Sequence, residues 1–447
     1  MAEHLARWLY GAVMWLAQPL LRRKLRRRGR QEPGYLAHVP ERFGRYSVPA
    51  TPGAVWVHAV SLGETRAAAL LVAQLRVLQP GLQVLWTHST ATGRAEGTKW
   101  MAPGDQQAWL PWDSPGAVAR FLAHFRPTVG VLMETEVWPC LVHACRQAGV
   151  PLLLANARLN EQSARTAQRL AWLARPAYRH LSAVYAQTPA DAERLARLDA
   201  PVRGVFGNLK FDVPLHPDPW SQGRAWKQSL GGRPVVMWAS SREGEEAAWL
   251  ATQWRSVSVS GVDGASAGQR PLWLVVPRHP QRFDGVEALL ASQGVKVWRR
   301  SSQVGLPPGA MDQPPEWPAE ALQADVWLGD SLGEMPLYYG LADMALLGGS
   351  FEPLGGQNLI EAIACDCPVV MGPHTYNFAD AANEAEACGA AVRAPDLNAA
   401  LACVQLWLSD PAALALAQQQ GRRWLAKGRG AALRYAEVVW QASSRRL

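Results

Sequence analysis

Two Rossmann-like, doubly wound α/β domains in series are what this sequence predicts, and three observations predict them. Short apolar runs of strand length alternate with helical stretches along most of the chain. The alternation stops once, in a polar and Pro-rich stretch at residues 213–232, and then restarts. At 447 residues the chain exceeds what one hydrophobic core usually supports, so two domains of roughly 200 residues each are expected.

The first domain is assigned to residues 31–212. Its expected strands are Ala54–Val60, Gln83–His88, Gln107–Trp112, Val129–Met133, Pro151–Ala155, Ala183–Gln187 and Val202–Phe206, with helices such as Thr65–Leu78, Gly116–Phe125 and Ser163–Tyr178 between them. The second domain, residues 233–425, restarts with Pro234–Ala239, Leu272–Val276, Val295–Trp298, Val326–Leu328, Met344–Leu347 and Val369–Met371. Such alternation implies parallel sheets covered on both faces, with ligands at the carboxyl edge of the strands. Two such edges facing each other across a cleft would suit a two-substrate enzyme. Residues 213–232 are expected to be a linker, Val257–Gln269 and Val304–Ala319 surface insertions, and residues 426–447 a helix that packs back on the first domain.

At the other end, residues 1–30 read as a membrane-associated segment. Leu5–Leu21 is apolar apart from Arg7 and Gln18, and Arg22–Arg30 then holds seven basic residues. Seventeen residues barely suffice to cross a bilayer, and a helix lying in the interface fits as well. The basic run suits anionic headgroups on the cytoplasmic side. Positive charge after the apolar stretch, with no small-residue cleavage site, argues against a cleaved signal peptide. Because this run carries most of the net charge of +8, the rest of the chain is almost neutral and offers no general nucleic-acid surface. Six cysteines show no metal-ligand spacing and read as buried thiols of a reducing compartment. The 21 tryptophans read mainly as core.

Chemistry-bearing residues gather where strands end. Asp343–Leu347 runs into Gly348-Gly-Ser-Phe-Glu-Pro-Leu-Gly-Gly356 and then a helix at Gln357–Ala364, a layout that holds an anion. Glu361 lies one turn after Asn358, within reach of a ribose diol if a phosphate sits at the helix start. Pro277 and Arg278 end one strand, and Arg278 is a natural phosphate clamp. Gly329-Asp-Ser-Leu-Gly-Glu334 ends the next, so three edges converge on one nucleotide-sized pocket. The tetrapeptide Ser61-Leu-Gly-Glu64 recurs as Ser331-Leu-Gly-Glu334, which reads as equivalent positions in two similar domains.

In the first domain Glu64 follows the first strand and is placed to act as a general base. Met133-Glu-Thr-Glu-Val-Trp-Pro139 carries a strand straight into two carboxylates. Alternation lets only one face the ligand, and Glu134 is the expected one. Gly207-Asn-Leu-Lys-Phe-Asp212 delivers Lys210 at the end of the domain, suited to an anionic substrate or a leaving phosphate. No Gly-x-x-x-x-Gly-Lys-Ser/Thr loop, no Gly-x-Gly-x-x-Gly at the first crossover and no Asp-x-Asp at a strand end is present. ATPase and dinucleotide readings are therefore weak, and no metal is expected.

These six motifs, in this order, resemble the bacterial 3-deoxy-D-manno-octulosonic acid (Kdo) transferases: His58–Glu64, Met133–Pro139, Gly207–Asp212, Pro277–Pro280, Gly329–Glu334 and Asn358–Glu361. The resemblance implies a GT-B type inverting glycosyltransferase at the cytoplasmic face of the inner membrane, serving lipopolysaccharide biosynthesis. Its donor would be CMP-Kdo, its acceptor the phosphorylated lipid A precursor, and it would use no metal or other cofactor. Carried over by motif, Glu64 matches the catalytic base, and Glu134 and Lys210 match residues that stabilise the transition state. Pro277, Arg278, Leu332, Gly333, Glu334, Asn358, Leu359, Ile360 and Glu361 match the CMP site. The family often has Met where this chain has Leu332. A UDP-sugar transferase of the same fold and a membrane-attached nucleotide sensor are the competing readings.

Overall fold

A computed structural model describes residues 2–212, 217–259, 268–303 and 316–444. The chain divides into two compact units, the first formed by residues up to Asp212 together with those from Gly428 onward, the second by the residues between.

The first unit is built on seven strands, β1 (Val55–His58), β2 (Val84–His88), β3 (Gln106–Trp109), β4 (Val129–Met133), β5 (Leu152–Ala157), β6 (Ala183–Ala186) and β7 (Val202–Val205). All pair in parallel in the order β3-β2-β1-β4-β5-β6-β7. β1, β2, β4 and β5 are buried along their whole length, which is why they read as unbroken apolar runs. The chain order reverses between β1 and β4, so the crevice of this sheet opens between those two strands. The expected helix over Ser163–Tyr178 is in fact two, Glu161–Arg169 and Ala171–Arg179, interrupted at Leu170.

The second unit repeats the layout with β8 (Val235–Ser241), β9 (Leu272–Pro277), β10 (Val297–Arg299), β11 (Val326–Leu328), β12 (Met344–Leu347), β13 (Val369–Met371) and β14 (Ala391–Arg393). Their order, β10-β11-β9-β8-β12-β13-β14, is again all parallel, and the reversal falls between β8 and β12. Most tryptophans are core, as expected. Trp238, Trp249, Trp254 and Trp273 form one edge-and-tilt cluster, with centroids 4.5 Å apart for Trp249 and Trp254. Of the cysteines, Cys140, Cys145, Cys365 and Cys367 are buried, Cys388 and Cys403 only partly, and all six are free thiols.

The linker expected at 213–232 is corrected by the structure: Pro217–Gln228 is a helix. Its prolines sit in the first turn, where a missing N–H breaks no helical hydrogen bond. The helix packs on Met335–Leu341 through two glycines. A Cβ on Gly223 would meet the Leu337 carbonyl oxygen at 2.1 Å, and one on Gly340 would meet that of Trp220 at 2.3 Å. Residues 213–216, 260–267 and 304–315, which hold the rest of that stretch and much of the two expected insertions, lie outside the described residues.

The N-terminal segment is also two helices, Ala2–Leu16 and Gln18–Gln31, with Pro19 near the start of the second. No single helix among the described residues is long and apolar enough to cross a membrane. The first helix docks on the first unit. Arg7 meets His143 at 2.9 Å, Tyr10 hydrogen-bonds Asp113, and Glu3 pairs with Arg179 at 3.5 Å. Trp8, Leu9, Val13, Trp15, Leu16 and Leu20 remain exposed.

The C-terminal helix Ala431–Ser444 packs on the first unit, as its composition suggested. Ala431, Ala432, Tyr435, Ala436 and Val439 join Ala68, Leu71, Val72 and Leu75 in one buried cluster on the first sheet. Asp212 fixes its start by accepting from the backbone N–H groups of Gly430 and Ala432, at 2.6 and 2.5 Å. Tyr435 is fully buried, lies 5.3 Å from the Phe206 ring and donates to the Gly207 carbonyl at 3.0 Å. Tyr435→Ala is expected to destabilise the first unit by about 3–5 kcal/mol in urea unfolding. Leu433→Ala, on the exposed side of the same helix, is expected to change it by less than about 0.5 kcal/mol.

Candidate active site

Glu64 lies where the first crevice opens. Ser61 ends the β1 loop and caps the helix Leu62–Leu78, its hydroxyl oxygen accepting from the Glu64 N–H at 3.3 Å. Glu64 returns the contact: its carboxylate accepts from the Ser61 hydroxyl at 2.9 Å and from the Val60 N–H at 3.0 Å. This is a capping box, so the structural role of a first-turn Glu is present. The same carboxyl is nevertheless pushed up to about 7. Burial is the largest cause, the negative charges of Glu134 and Glu136 add to it, and the Val60 and Ser61 donors only partly oppose them.

Glu134 leaves β4, the neighbour of β1 across the reversal point. Its φ of 58° turns the chain out of the strand. The turn is held by its N–H on the Ala155 carbonyl at 3.1 Å and by its carbonyl on the Arg158 N–H at 3.3 Å. Strand alternation therefore ends at Met133, and the charges of Glu134 and Glu136 both act on Glu64. Arg158 stands 3.4 Å from the Glu134 carboxylate. Glu136 accepts from the Trp138 indole at 2.9 Å, and burial with the charge of Glu134 raises its carboxyl.

An apolar cavity of about 590 Å³ adjoins this cluster, lined among others by Tyr10, Trp138, Leu170, Leu173, Ala174 and Tyr178. Its Tyr178 feels the charge of Glu136. His58 is the first residue of the Glu64 motif. It is fully buried, pushed down to about 3 chiefly by burial, and hydrogen-bonded to Thr87.

Lys210 stands past β7, on a short turn at Leu209–Asp212 that packs on the Leu62–Leu78 helix. Its neighbours explain the motif. Gly207 has φ 90°, Asn208 accepts from the Lys210 N–H at 3.0 Å, and Leu209 is buried with its N–H on the Asn156 side chain at 3.1 Å. Phe211 packs against Gly428 and Asp212 caps the last helix. The motif thus holds a partly buried ammonium group at the carboxyl edge.

In the second unit Pro277 closes β9 and is buried, whereas Arg278 is exposed, its N–H on the Ser241 carbonyl at 3.0 Å. The charges of Arg278 and Glu361 both act on the buried Tyr339. After burial, the charge of Glu361 is the largest cause that holds this phenol up, and that of Arg278 opposes it. Asn358 caps the Leu359–Ala364 helix, accepting from the Ile360 N–H at 3.1 Å. Leu359 and Ile360 are fully buried, so only main chain there can face a ligand. Leu332 is 75% exposed beside Gly333, whose φ is 84°. Glu334 accepts from Arg300 at 2.9 Å and from the Ser331 hydroxyl.

Two readings of the motifs change here. The recurrent Ser-Leu-Gly-Glu occupies inequivalent places. Ser61 follows β1, at the reversal point, and its helix starts at Leu62. Ser331 follows β11, two strands away from β8, and its helix starts only at Met335. The Gly-rich loop does hold an anion, but one of the protein's own. Glu245, fully buried after β8, accepts from the N–H groups of Gly349 at 2.8 Å, Phe351 at 3.2 Å and Arg242 at 2.9 Å. Reading the motifs missed Glu245. The acidic run Glu243-Gly-Glu-Glu246 directly after a strand was the available signal.

The family model described as 3-Deoxy-D-manno-octulosonic-acid transferase (kdotransferase) matches residues 37–213. A 3-deoxy-D-manno-octulosonic acid transferase of Bordetella pertussis is 45% identical over 444 residues, covering 97% of this chain and 99% of its own. That of Haemophilus influenzae is 32% identical over 383 residues, covering 83% of each. Among solved structures, Anabaena Alr3699/HepE in complex with UDP superposes with TM-score 0.51 at 10% identity, covering 88% of this chain and 100% of that one. A glycosyltransferase of Rickettsia africae ESF-5 gives 0.50 at 12%, covering 89% and 99%. At such identities these two share the fold alone, whereas identity that runs nearly end to end with the Bordetella enzyme carries more: the chain belongs to the 3-deoxy-D-manno-octulosonic acid transferases.

Proposed function

We propose that this enzyme transfers Kdo from CMP-Kdo to the phosphorylated lipid A precursor, with Glu64 as general base. The observation that carries the reading is a carboxyl group at the crevice of the first sheet, poised near neutrality by burial and by two like charges. A base works best when its pKa lies near the operating pH. A primary sugar hydroxyl of the acceptor attacks the anomeric carbon of Kdo from the face opposite the CMP phosphate. Its proton passes to Glu64, the new C–O bond forms, and the bond to phosphate breaks with its electron pair on CMP, so the configuration inverts. Lys210 serves the negative charge of Kdo or of the departing phosphate. Glu134 stabilises positive charge that develops on the sugar.

The donor reading rests on the second unit. Arg278 takes the phosphate and Glu361 the ribose diol, with the main chain at Leu332–Glu334 and Asn358–Ile360 against the nucleoside. That the charges of Arg278 and Glu361 both reach Tyr339 supports one shared pocket. CMP carries a single phosphate, so arginine and backbone donors suffice without a metal. The acceptor reading is supported by the apolar cavity beside Glu136, which suits an acyl chain. The exposed tryptophans Trp8, Trp15, Trp138 and Trp172 suit a bilayer interface. With the basic run, they support a place on the cytoplasmic side of the inner membrane.

Three measurements test this. Glu64→Gln is expected to lower transfer by about 10²–10⁴-fold while leaving CMP-induced thermal stabilisation unchanged; a rate near that of the native enzyme removes Glu64 from the base role. The ionised carboxylate is the active form, so kcat/KM should rise as pH passes upward through about 7. Glu136→Gln removes a like charge and should move that rise to lower pH. Arg278→Ala should weaken CMP by roughly 10–100-fold. Stabilisation by UDP but not by CMP would overturn the donor.

A further inference from the structure

Away from the carboxylate cluster, a cavity of the first unit measures about 670 Å³ and is lined by arginines from three separate segments. Arg22 and Arg26 come from one face of the Gln18–Gln31 helix, Arg45 from the loop after Phe43, and Arg120 from the Pro115–Phe125 helix. No Asp or Glu lines it. Arg120 is spent on the Phe43 carbonyl through one nitrogen only, at 2.7 Å, and the Arg22 guanidinium lies over the Phe43 ring at 4.7 Å. All four are exposed. None of them makes an ion pair among the described residues. The Pro115–Phe125 helix also starts here, and Ser114, the residue before it, makes no side-chain capping bond, which leaves the positive end of the helix dipole without a side-chain cap.

We propose that this cavity binds the phosphate group of a membrane amphiphile. Four guanidinium groups converging on one concavity match a phosphate, whose oxygens accept bidentate hydrogen bonds. A merely solvated basic helix would spread its charge, and Arg23, Arg27 and Arg30 of the same run stay outside the cavity. The apolar side of the ligand is indicated by the rim: Trp15 is 66% exposed there, with Leu16 at 67% and Leu20 at 69% beside it on the same helix pair. A phosphate in the pocket and chains on that face would seat the protein at a fixed depth and orientation, beyond what a diffuse basic run provides. The inference stands whether or not Glu64 is the base.

The test compares Arg26→Gln/Arg45→Gln, which empties the cavity of two charges, with Arg23→Gln/Arg27→Gln, which removes the same charge outside it. Full-length proteins are sedimented with vesicles of matched surface charge, made anionic by phosphatidic acid or by phosphatidylserine. The native chain and the outside variant should both prefer the exposed phosphate of phosphatidic acid by about tenfold, whereas the cavity variant should show no preference. Absence of a preference in the native chain, or its equal loss in both variants, overturns the site. Inorganic phosphate is the second arm. If it raises the melting temperature of the native chain but not of the cavity variant, while no vesicle is preferred, the ligand is the free ion and the membrane part of the proposal falls.

Discussion

One crowded place carries the design: a buried carboxylate in the first turn of a helix, acted on by the charges of two more. Ionised carboxylates repel one another and resist burial, so the fold has to hold Glu64, Glu134 and Glu136 together against both effects. It does so with partial compensation. The Val60 N–H, the Ser61 hydroxyl and the N-terminal dipole favour the Glu64 anion, and Arg158 stands beside Glu134. Burial wins at Glu64, and its carboxyl ends near 7 rather than in the usual carboxylate range. The sign of the linkage follows. A carboxyl raised on folding contributes stability that is present below its unfolded pKa and is lost as pH rises through the folded value. At neutral pH the protein therefore holds a group that would be more comfortable unfolded, as the base role proposed for it requires.

The geometry that permits this crowding is the reversal point of a parallel sheet. β1 and β4 are neighbours whose connections leave in opposite directions, so the loops carrying Glu64 and Glu134 border one crevice. The second unit uses its own reversal point differently. There β8 leads to Glu245 and β12 to the Gly-rich loop, and the two are joined by backbone donors on a fully buried carboxylate. The loop is thereby closed and fixed. Arg278 from β9 and Glu361 from the Leu359–Ala364 helix stand next to this rigid element, where the nucleotide is proposed to lie.

What could be read in the sequence was whatever depends on local pattern. Unbroken apolar runs marked the strands because parallel strands are buried on both faces. Reading failed where tertiary context overrode the pattern. Prolines at 217 and 219 signalled a linker, yet in a first turn they are harmless, and Gly223 with Gly340 made a close helix crossing that only packing reveals. Glu134 adopts positive φ without being Gly or Asn, which no propensity announces. The place of β11 between β10 and β9 makes Ser331 inequivalent to Ser61, because strand order is a non-local property. Glu245 escaped because its partners lie a hundred residues further along the chain.

One tie between the first helix and the loop of Glu134 and Glu136 is a buried acid, Asp113. Asp113 accepts from the N–H groups of Cys140 and Leu141 at 3.0 and 2.8 Å, which start the Pro139–Gln147 helix directly after the Glu134–Trp138 loop. It also accepts a hydrogen bond from Tyr10 in the first helix. Burial pushes its carboxyl up to about 6, against those three donors. A buried acid is tolerated when such donors surround its charged form. Asp113 is thus a joint: with the Arg7–His143 contact, it bonds the helix whose other side exposes Trp8 and Trp15 to the helix that frames the loop of Glu134 and Glu136. A chain seated on a lipid surface through that first helix would hold its carboxylates in fixed relation to the surface.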